Sequence, residues 1–190
     1  MKLYFIRHGQ TDWNEAGKIQ GSCDIDLNSN GLMQAEALCS KLLEKAYPIT
    51  KIYSSKQKRA LQTATIIGQT LHIEPIAISG LEEVNLGHWE GLSWSEIMER
   101  YPTEYEEWYQ HRRYSKPHQG ESYEDVVERA LAAIHTIIKE NDGDVAVVTH
   151  NAVIMSLQCY LTNTPFDQMK RFKSNNTAVS IIDSNLFQIQ

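Results

Sequence analysis

The run Val145-Ala146-Val147-Val148-Thr149 is apolar on both of the faces that a strand presents. Its β-branched residues favour extended backbone, and a strand with no polar face needs cover on both sides. Leu3-Tyr4-Phe5-Ile6 has the same character. Between the two runs, segments with apolar residues at helical spacing alternate with shorter apolar stretches. Strands that alternate with helices build βαβ units, so the chain is expected to form an α/β fold around a largely parallel sheet.

Residues 2 to 7 form the first expected strand. Asn28-Ser29 can cap a helix whose inward positions are Leu32, Ala35, Leu38, Leu42, Leu43 and Ala46, ended by Pro48. A strand at Lys51-Ile52-Tyr53 leads into Ser54-Ser55, and Ser55 opens a helix with Ala60, Ala64, Ile67 and Leu71 on one face. Ile76-Ala77-Ile78 is a further strand. Ser122 and Asp125 have capping-box spacing for a helix that turns Val127, Leu131, Ile134 and Ile138 inward. A helix from Ala152 to about Leu161 follows the apolar run, and two strands near Ala178-Ile182 and Leu186-Ile189 close the chain.

At 190 residues and 42% hydrophobic, the chain can bury one sizeable core, so a single domain spanning 1–190 is expected. A formal net charge of −6 argues against nucleic acid or an anionic membrane as partner. It leaves room for a small anionic substrate, which responds to local basic groups. The longest aliphatic stretch is far too short to span a bilayer, and no basic leader precedes the first strand. Cys23, Cys39 and Cys159 are odd in number and lack the spacing of a disulfide framework or zinc knuckle. A cytoplasmic protein is expected. Its oligomeric state is open, a homodimer being one arrangement.

One segment breaks the alternation. Roughly from residue 89 to 119, Trp94, Tyr101, Tyr105, Trp108 and Tyr109 recur at mostly helical spacing before Arg112-Arg113. Two short helices are expected there, packed over an edge of the sheet. Aromatic stripes usually pack, so a local core is the simpler reading. The sharper one is a cap insertion whose rings and two arginines wall a substrate pocket.

The chemistry concentrates at strand ends. Arg7-His8-Gly9 follows the first apolar run, and open α/β sheets bind ligands beyond the carboxyl ends of their strands. An arginine there offers a planar fork of donors suited to phosphate oxygens, and Gly9 leaves the imidazole uncrowded for in-line approach. Alone, this tripeptide describes many surface loops. His150, at the end of the Val145–Thr149 run, repeats the placement, and two such histidines can share a crevice if their strands are neighbours. Arg59 falls in the first turn of a helix, where unpaired N–H groups favour an anion. Glu82 and Glu83 follow another strand. A carboxylate beside a phosphate dianion is pushed toward the range of a general acid.

In these residues the chain resembles the histidine phosphatase superfamily, the phosphoglycerate-mutase-like group. The matching blocks are Arg7-His8-Gly9-Gln10-Thr11 with Asn14, Gln20-Gly21, Ser54-Ser55 with Arg59-Ala60, and Gln62-Thr63-Ala64. They continue through Leu81-Glu82-Glu83, Gly87-His88-Trp89-Glu90-Gly91 and Gly120-Glu121-Ser122 to Val148-Thr149-His150. The resemblance implies a three-layer α/β/α sandwich and a phosphohistidine intermediate. It makes His8 the nucleophile and Glu83, by its spacing to Gly87, the acid–base carboxylate. Arg7, Arg59 and His150 then surround the transferring phosphoryl group. Asn14 and Gln20 match positions that contact phosphoryl group or substrate.

The resemblance calls for no cofactor and no metal. Basic side chains and helix N-termini supply the positive field, and two histidines without carboxylate or thiolate neighbours make a poor metal site. Three positions depart from the family pattern. Asn151 replaces a common glycine, which bears on a backbone contact to phosphate. Glu82 adds charge beside the acid, and Asp26 stands where proline is frequent. The compact, acidic cap favours a phosphomonoesterase acting on a small phosphorylated metabolite over a mutase-type phosphoryl transfer. Arg112-Arg113, resembling a basic stretch of the mutases, is expected to hold a second anionic group. A non-catalytic binder of phosphorylated ligands is the third reading, and intact His8 and Glu83 speak against it.

Overall fold

The computed structural model describes residues 1–187. In chain order the elements are β1 (Lys2–Arg7), α1 (Asp12–Glu15), α2 (Ser29–Glu44), β2 (Ile49–Ser55), α3 (Lys58–Leu71) and β3 (Pro75–Ile78). They continue with α4 (Trp94–Arg100), α5 (Pro102–Gln110), α6 (Tyr123–Lys139), β4 (Asp144–Thr149), α7 (Asn151–Leu161) and β5 (Val179–Asp183). The strands form one sheet in the order β3-β2-β4-β1-β5, with only β5 antiparallel to its neighbour.

The two apolar runs are its adjacent central strands, and their alternation splits the core into two layers. Leu3, Phe5, Val145 and Val147 pack with α6 and α7 on one face. Ile6, Ala146 and Val148 pack with α2 and α3 on the other. This is the α/β/α sandwich that the resemblance implied, and it explains why neither run shows a polar face. The Ser122–Asp125 capping box is present at the start of α6.

Four expectations at the elements need correction. The second closing strand is absent over its described part, because Ser184–Phe187 forms a 3₁₀ turn that buries Phe187 against the sheet. The rest of that stretch lies outside the described residues. Helix α2 ends at Glu44, with Ala46 already left-handed, and Leu32 and Leu43 face solvent at 41% and 57% exposure. Ala35, Leu38 and Leu42 point inward as expected and Cys39 joins them, so the apolar face is narrower than the expected one. Helix α3 begins at Lys58, since Ser54-Ser55 still belongs to β2.

The irregular segment folds into α4 and α5, as the aromatic spacing predicts. Trp89 and Trp108 meet edge-to-face at 5.3 Å, and Trp94 stacks on Trp108 at 5.5 Å. Such pairs add roughly 0.5–1.5 kcal/mol each beyond the area they bury. The rings therefore form a local core, yet Trp94, Tyr105, Trp108 and Tyr109 also line the main cavity. The local core is as expected, and of the two arginines named with these rings only Arg112 reaches the cavity. Among the described residues no helix is long and apolar enough to cross a membrane.

Candidate active site

Parallel pairing of β1 with β4 and of β4 with β2 brings three strand ends to one edge. Arg7 is opposite Thr149, and the His8 N–H donates to the Thr149 carbonyl at 3.0 Å. Register alone thus makes His8 and His150 neighbours, with ring centroids 5.1 Å apart. Both imidazoles are almost fully buried. His8 Nδ1 lies 2.7 Å from the Gly9 carbonyl oxygen, which can only accept. The proton is accordingly on Nδ1, and Nε2 carries a free lone pair.

Gly9 is needed for a reason that the sequence does not show. A Cβ there would collide with the Gly31 backbone at the start of α2, and one at Gly31 would collide with the Gln10 carbonyl. The loop and the helix N-terminus touch main chain to main chain.

Arg59 is fully buried in the first turn of α3. Its Nη1 donates to the Cys23 carbonyl at 2.7 Å and its Nη2 to the Gly21 carbonyl at 2.9 Å. Arg7 donates Nη1 to the Ser174 carbonyl at 2.6 Å. Each guanidinium is therefore anchored at one end, while its Nε is buried with no protein partner. His150 repeats this pattern, with Nε2 2.8 Å from Ser55 Oγ and Nδ1 unpartnered. Buried polar nitrogens without partners are costly, and Arg7 and Arg59, which line one cavity with His8, each keep such an N–H, which suits that cavity to an anion. His150 is packed against His8 but does not line the cavity.

Glu83 faces the same cavity. Its carboxylate accepts from the N–H groups of Val84 at 3.0 Å and Ala152 at 3.3 Å. Burial nonetheless outweighs these bonds and the Arg59 charge, and raises its pKa above the ordinary 4.5. Burial, then the Arg59 charge, holds both imidazoles well below 6.5, so His8 and His150 are neutral at physiological pH. A neutral imidazole and a carboxyl held above its usual range share one pocket.

The cavity measures about 500 Å³ and is lined by Arg7, His8, Asn14, Gln20, Arg59 and Glu83 among others. Asn151 also lines it, and Arg112 reaches it from the cap. Arg113 does not line it, because its guanidinium is held by Glu124 and lies over the Phe166 ring. Glu82 also turns away, accepting from the Gly80 N–H and facing Arg129, so it adds no charge at the site. Asp26 accepts from Gln62 at the surface.

Several contributors escaped the sequence. Ser55 orients His150, and Gln57 carries Glu83 on its side-chain oxygen at 2.8 Å while contacting Arg59. Ser54-Ser55 in the motif blocks was the signal for the first. Lys170 and Lys173 line the pocket from a 3₁₀ segment (Phe166–Phe172) and the loop after it, where no motif announced them. Among the described residues, no three His, Cys, Asp or Glu side chains are grouped to hold a metal.

The family model of the histidine phosphatase superfamily, branch 1, matches residues 3–187. The metal-independent phosphoserine phosphatase of Arabidopsis thaliana is 36% identical over 164 residues, covering 85% of this chain and 68% of that protein. Phosphoserine phosphatase 1 of Hydrogenobacter thermophilus is 30% identical over 183 residues, covering 96% and 86%. Among solved structures, mycobacterial glucosyl-3-phosphoglycerate phosphatase complexed with VO3 superposes with a TM-score of 0.85 at 27% identity, over 96% of this chain and 90% of that one.

Proposed function

From the premise that the chain belongs to the histidine phosphatase superfamily, branch 1, we propose a role for each side chain of the site. The protein is a metal-independent phosphomonoester hydrolase that works through a phosphohistidine intermediate on a small phosphorylated metabolite. The relatives favour hydrolysis over mutase-type transfer. His8 Nε2 attacks phosphorus as the P–O bond to the leaving group breaks. Glu83, as the carboxylic acid, gives its proton to the departing alkoxide. The carboxylate so formed takes a proton from water as that water attacks the phosphohistidine, which releases phosphate and restores neutral His8. Arg7, Arg59 and His150 hold the equatorial oxygens, where fixed donors act without reorganising. The single observation that supports this assignment is the pairing of β1 with β4, which sets the His8 and His150 rings 5.1 Å apart while Arg7, Arg59 and Glu83 line one cavity with His8.

Asn14 donates to a phosphoryl oxygen, Gln20 and Asn151 complete the pocket wall, and the cap of residues 89–119 selects the remainder of the substrate. Arg112 is buried to 6% exposure, with its guanidinium 4.8 Å from the Trp108 ring centre, and its Nε and Nη1 have no partner. Together with Lys170 and Lys173, this supports a substrate that carries a second anionic group, a carboxylate above all. Phosphoserine and glucosyl-3-phosphoglycerate, which the relatives' names specify, both have one. The small metabolite is the partner we assign.

Phosphate release from a panel of phosphomonoesters with and without a carboxylate tests the proposal, run alongside an isomerase assay with bisphosphoglycerate. Phosphate should appear without isomer interconversion. His8→Ala should abolish turnover, and substantial residual hydrolysis would remove His8 as nucleophile. Arg112→Met, which keeps the apolar stem, should lower kcat/KM about ten- to hundredfold on carboxylate-bearing substrates, the range for a hydrogen bond to a charged group. It should barely alter a plain aryl phosphate, and equal losses on both would remove Arg112 from recognition.

A further inference from the structure

The segment between the Phe166–Phe172 turn and β5 lies far from the site in sequence and against it in space. Asn176 donates Nδ2 to the His8 carbonyl at 2.9 Å and to Asn14 Oδ1 at 3.3 Å. Thr177 adds its backbone N–H, 3.0 Å from the Arg7 carbonyl and 3.4 Å from that of His8. On the opposite side of the same peptide group, the Gly9 N–H donates to Thr63 Oγ1 at 3.0 Å. The His8–Gly9 peptide is thus gripped at its oxygen and at its nitrogen. Because the Gly9 carbonyl fixes the Nδ1–H tautomer of His8, this grip also sets where Nε2 points.

The second contact matters equally. Asn14 Oδ1 already accepts from the Thr11 N–H at 3.3 Å, and Asn176 occupies it from another direction. With the amide oxygen engaged twice, the amide of Asn14 can turn only its Nδ2 donor toward an anion in the cavity it lines. A flipped amide would present an acceptor to phosphate and repel it. Ser174 extends the grip. Its carbonyl anchors Arg7 and its N–H donates to Asn151 Oδ1 at 3.1 Å, so Asn151 ties the start of α7 to the same segment.

We propose that Asn176 is a positioning residue of the phosphoryl-transfer site, fixing the His8–Gly9 peptide and the donor orientation of Asn14. The inference rests on the assignment of His8 as nucleophile made above. A misplacement of about 1 Å can cost on the order of a hundredfold in rate, so removal of a single orienting amide is expected to be visible.

A double-mutant cycle on the full chain tests it, with rapid acid quench to follow the His8 phosphoenzyme and p-nitrophenyl phosphate as probe. Asn176→Leu keeps side-chain volume and loses the donor. Phosphoenzyme formation and kcat/KM should fall roughly ten- to hundredfold. In an Asn14→Ala background the same substitution should cost several-fold less than in wild type, because the amide it orients is gone and only its hold on the His8 carbonyl is left to lose. A change within twofold of wild type, or losses that multiply across the two positions, would overturn the proposal. The cycle decides even if Asn176→Leu lowers thermal stability, since a folding defect multiplies with Asn14→Ala and a shared function does not. Failure of wild type to form phosphoenzyme would instead sink the assignment of His8, and this proposal with it. Wild-type phosphoenzyme that forms equally fast in the Asn176 variant sinks this proposal alone.

Discussion

Burial pushes the imidazoles of this site down and its carboxyl up, so the two kinds of group respond to pH in opposite senses. His8 and His150 are held well below 6.5 by burial and then by Arg59. As pH falls through 6.5, an unfolded chain takes up protons that the folded one refuses, so unfolding becomes more favourable. Their contribution to stability is complete above 6.5 and is lost on acidification. Urea-unfolding midpoints should therefore drop more steeply between about pH 7 and about pH 5 in wild type than in His150→Gln. Parallel acid limbs would show that His150 is not held neutral. Glu83 works the other way, because burial raises it above 4.5 and its folded form prefers the proton. Stability is lost as pH rises through the raised value, so Glu83→Gln should raise the midpoint at neutral pH. The same change should slow hydrolysis of alkyl phosphates by on the order of 10²–10⁴, the range of general acid catalysis. Nitrophenyl phosphate, whose leaving group departs with little proton help, should lose far less, and equal losses would remove Glu83 as the acid.

Among the elements, the contact between α2 and the loop after β1 has the least slack. Gly31 occupies the third helical position behind its cap Asn28, where alanine would ordinarily strengthen a helix by about 1 kcal/mol. Here its Cβ would land on the Gln10 carbonyl. Gly31→Ala is expected to destabilise by roughly 1–3 kcal/mol, the usual range for overpacking, and to lower turnover by displacing His8. A thermal melt with unchanged or raised midpoint would contradict this reading. This contact also shows what the sequence withholds. The strand-end histidines, the arginine in the first turn of α3 and the capping box of α6 were legible, because each expresses a local rule. The backbone approach of Gly9 to Gly31 was not, since it joins two glycines that no local rule connects. Leu32 and Leu43 misled for a related reason: helical spacing admits a broad apolar face, and packing on Ile6 and Val148 covers only its centre, through Leu38 and Leu42. Asn176, Lys170 and Lys173 carry no motif and reach the site only through the return of the chain along β5.

For the molecule as a whole, a net charge of −6 must be reconciled with an anionic substrate. Summed over the surface, that charge repels a phosphate ester, yet Lys18, Lys170, Lys173 and Arg112 all line the cavity. Local cations within a Debye length, about 10 Å at 0.1 M salt, outweigh a diffuse opposite charge further away. On the roles proposed above, the exposed lysines would act on the substrate before contact, whereas half-buried Arg7 and fully buried Arg59 would act after it. Two consequences separate the groups. Replacing Lys170 and Lys173 with alanine should lower kcat/KM at low ionic strength about three- to tenfold for a substrate bearing both phosphate and carboxylate. The deficit should shrink as salt rises, because the wild-type advantage is itself screened. Replacing a buried arginine should produce a loss that salt leaves nearly untouched, since buried pairs are screened much less. Steady-state kinetics of the three proteins across a salt series distinguishes these outcomes. A lysine deficit that persists undiminished at high salt would place Lys170 and Lys173 in direct contact with the substrate and end the steering argument.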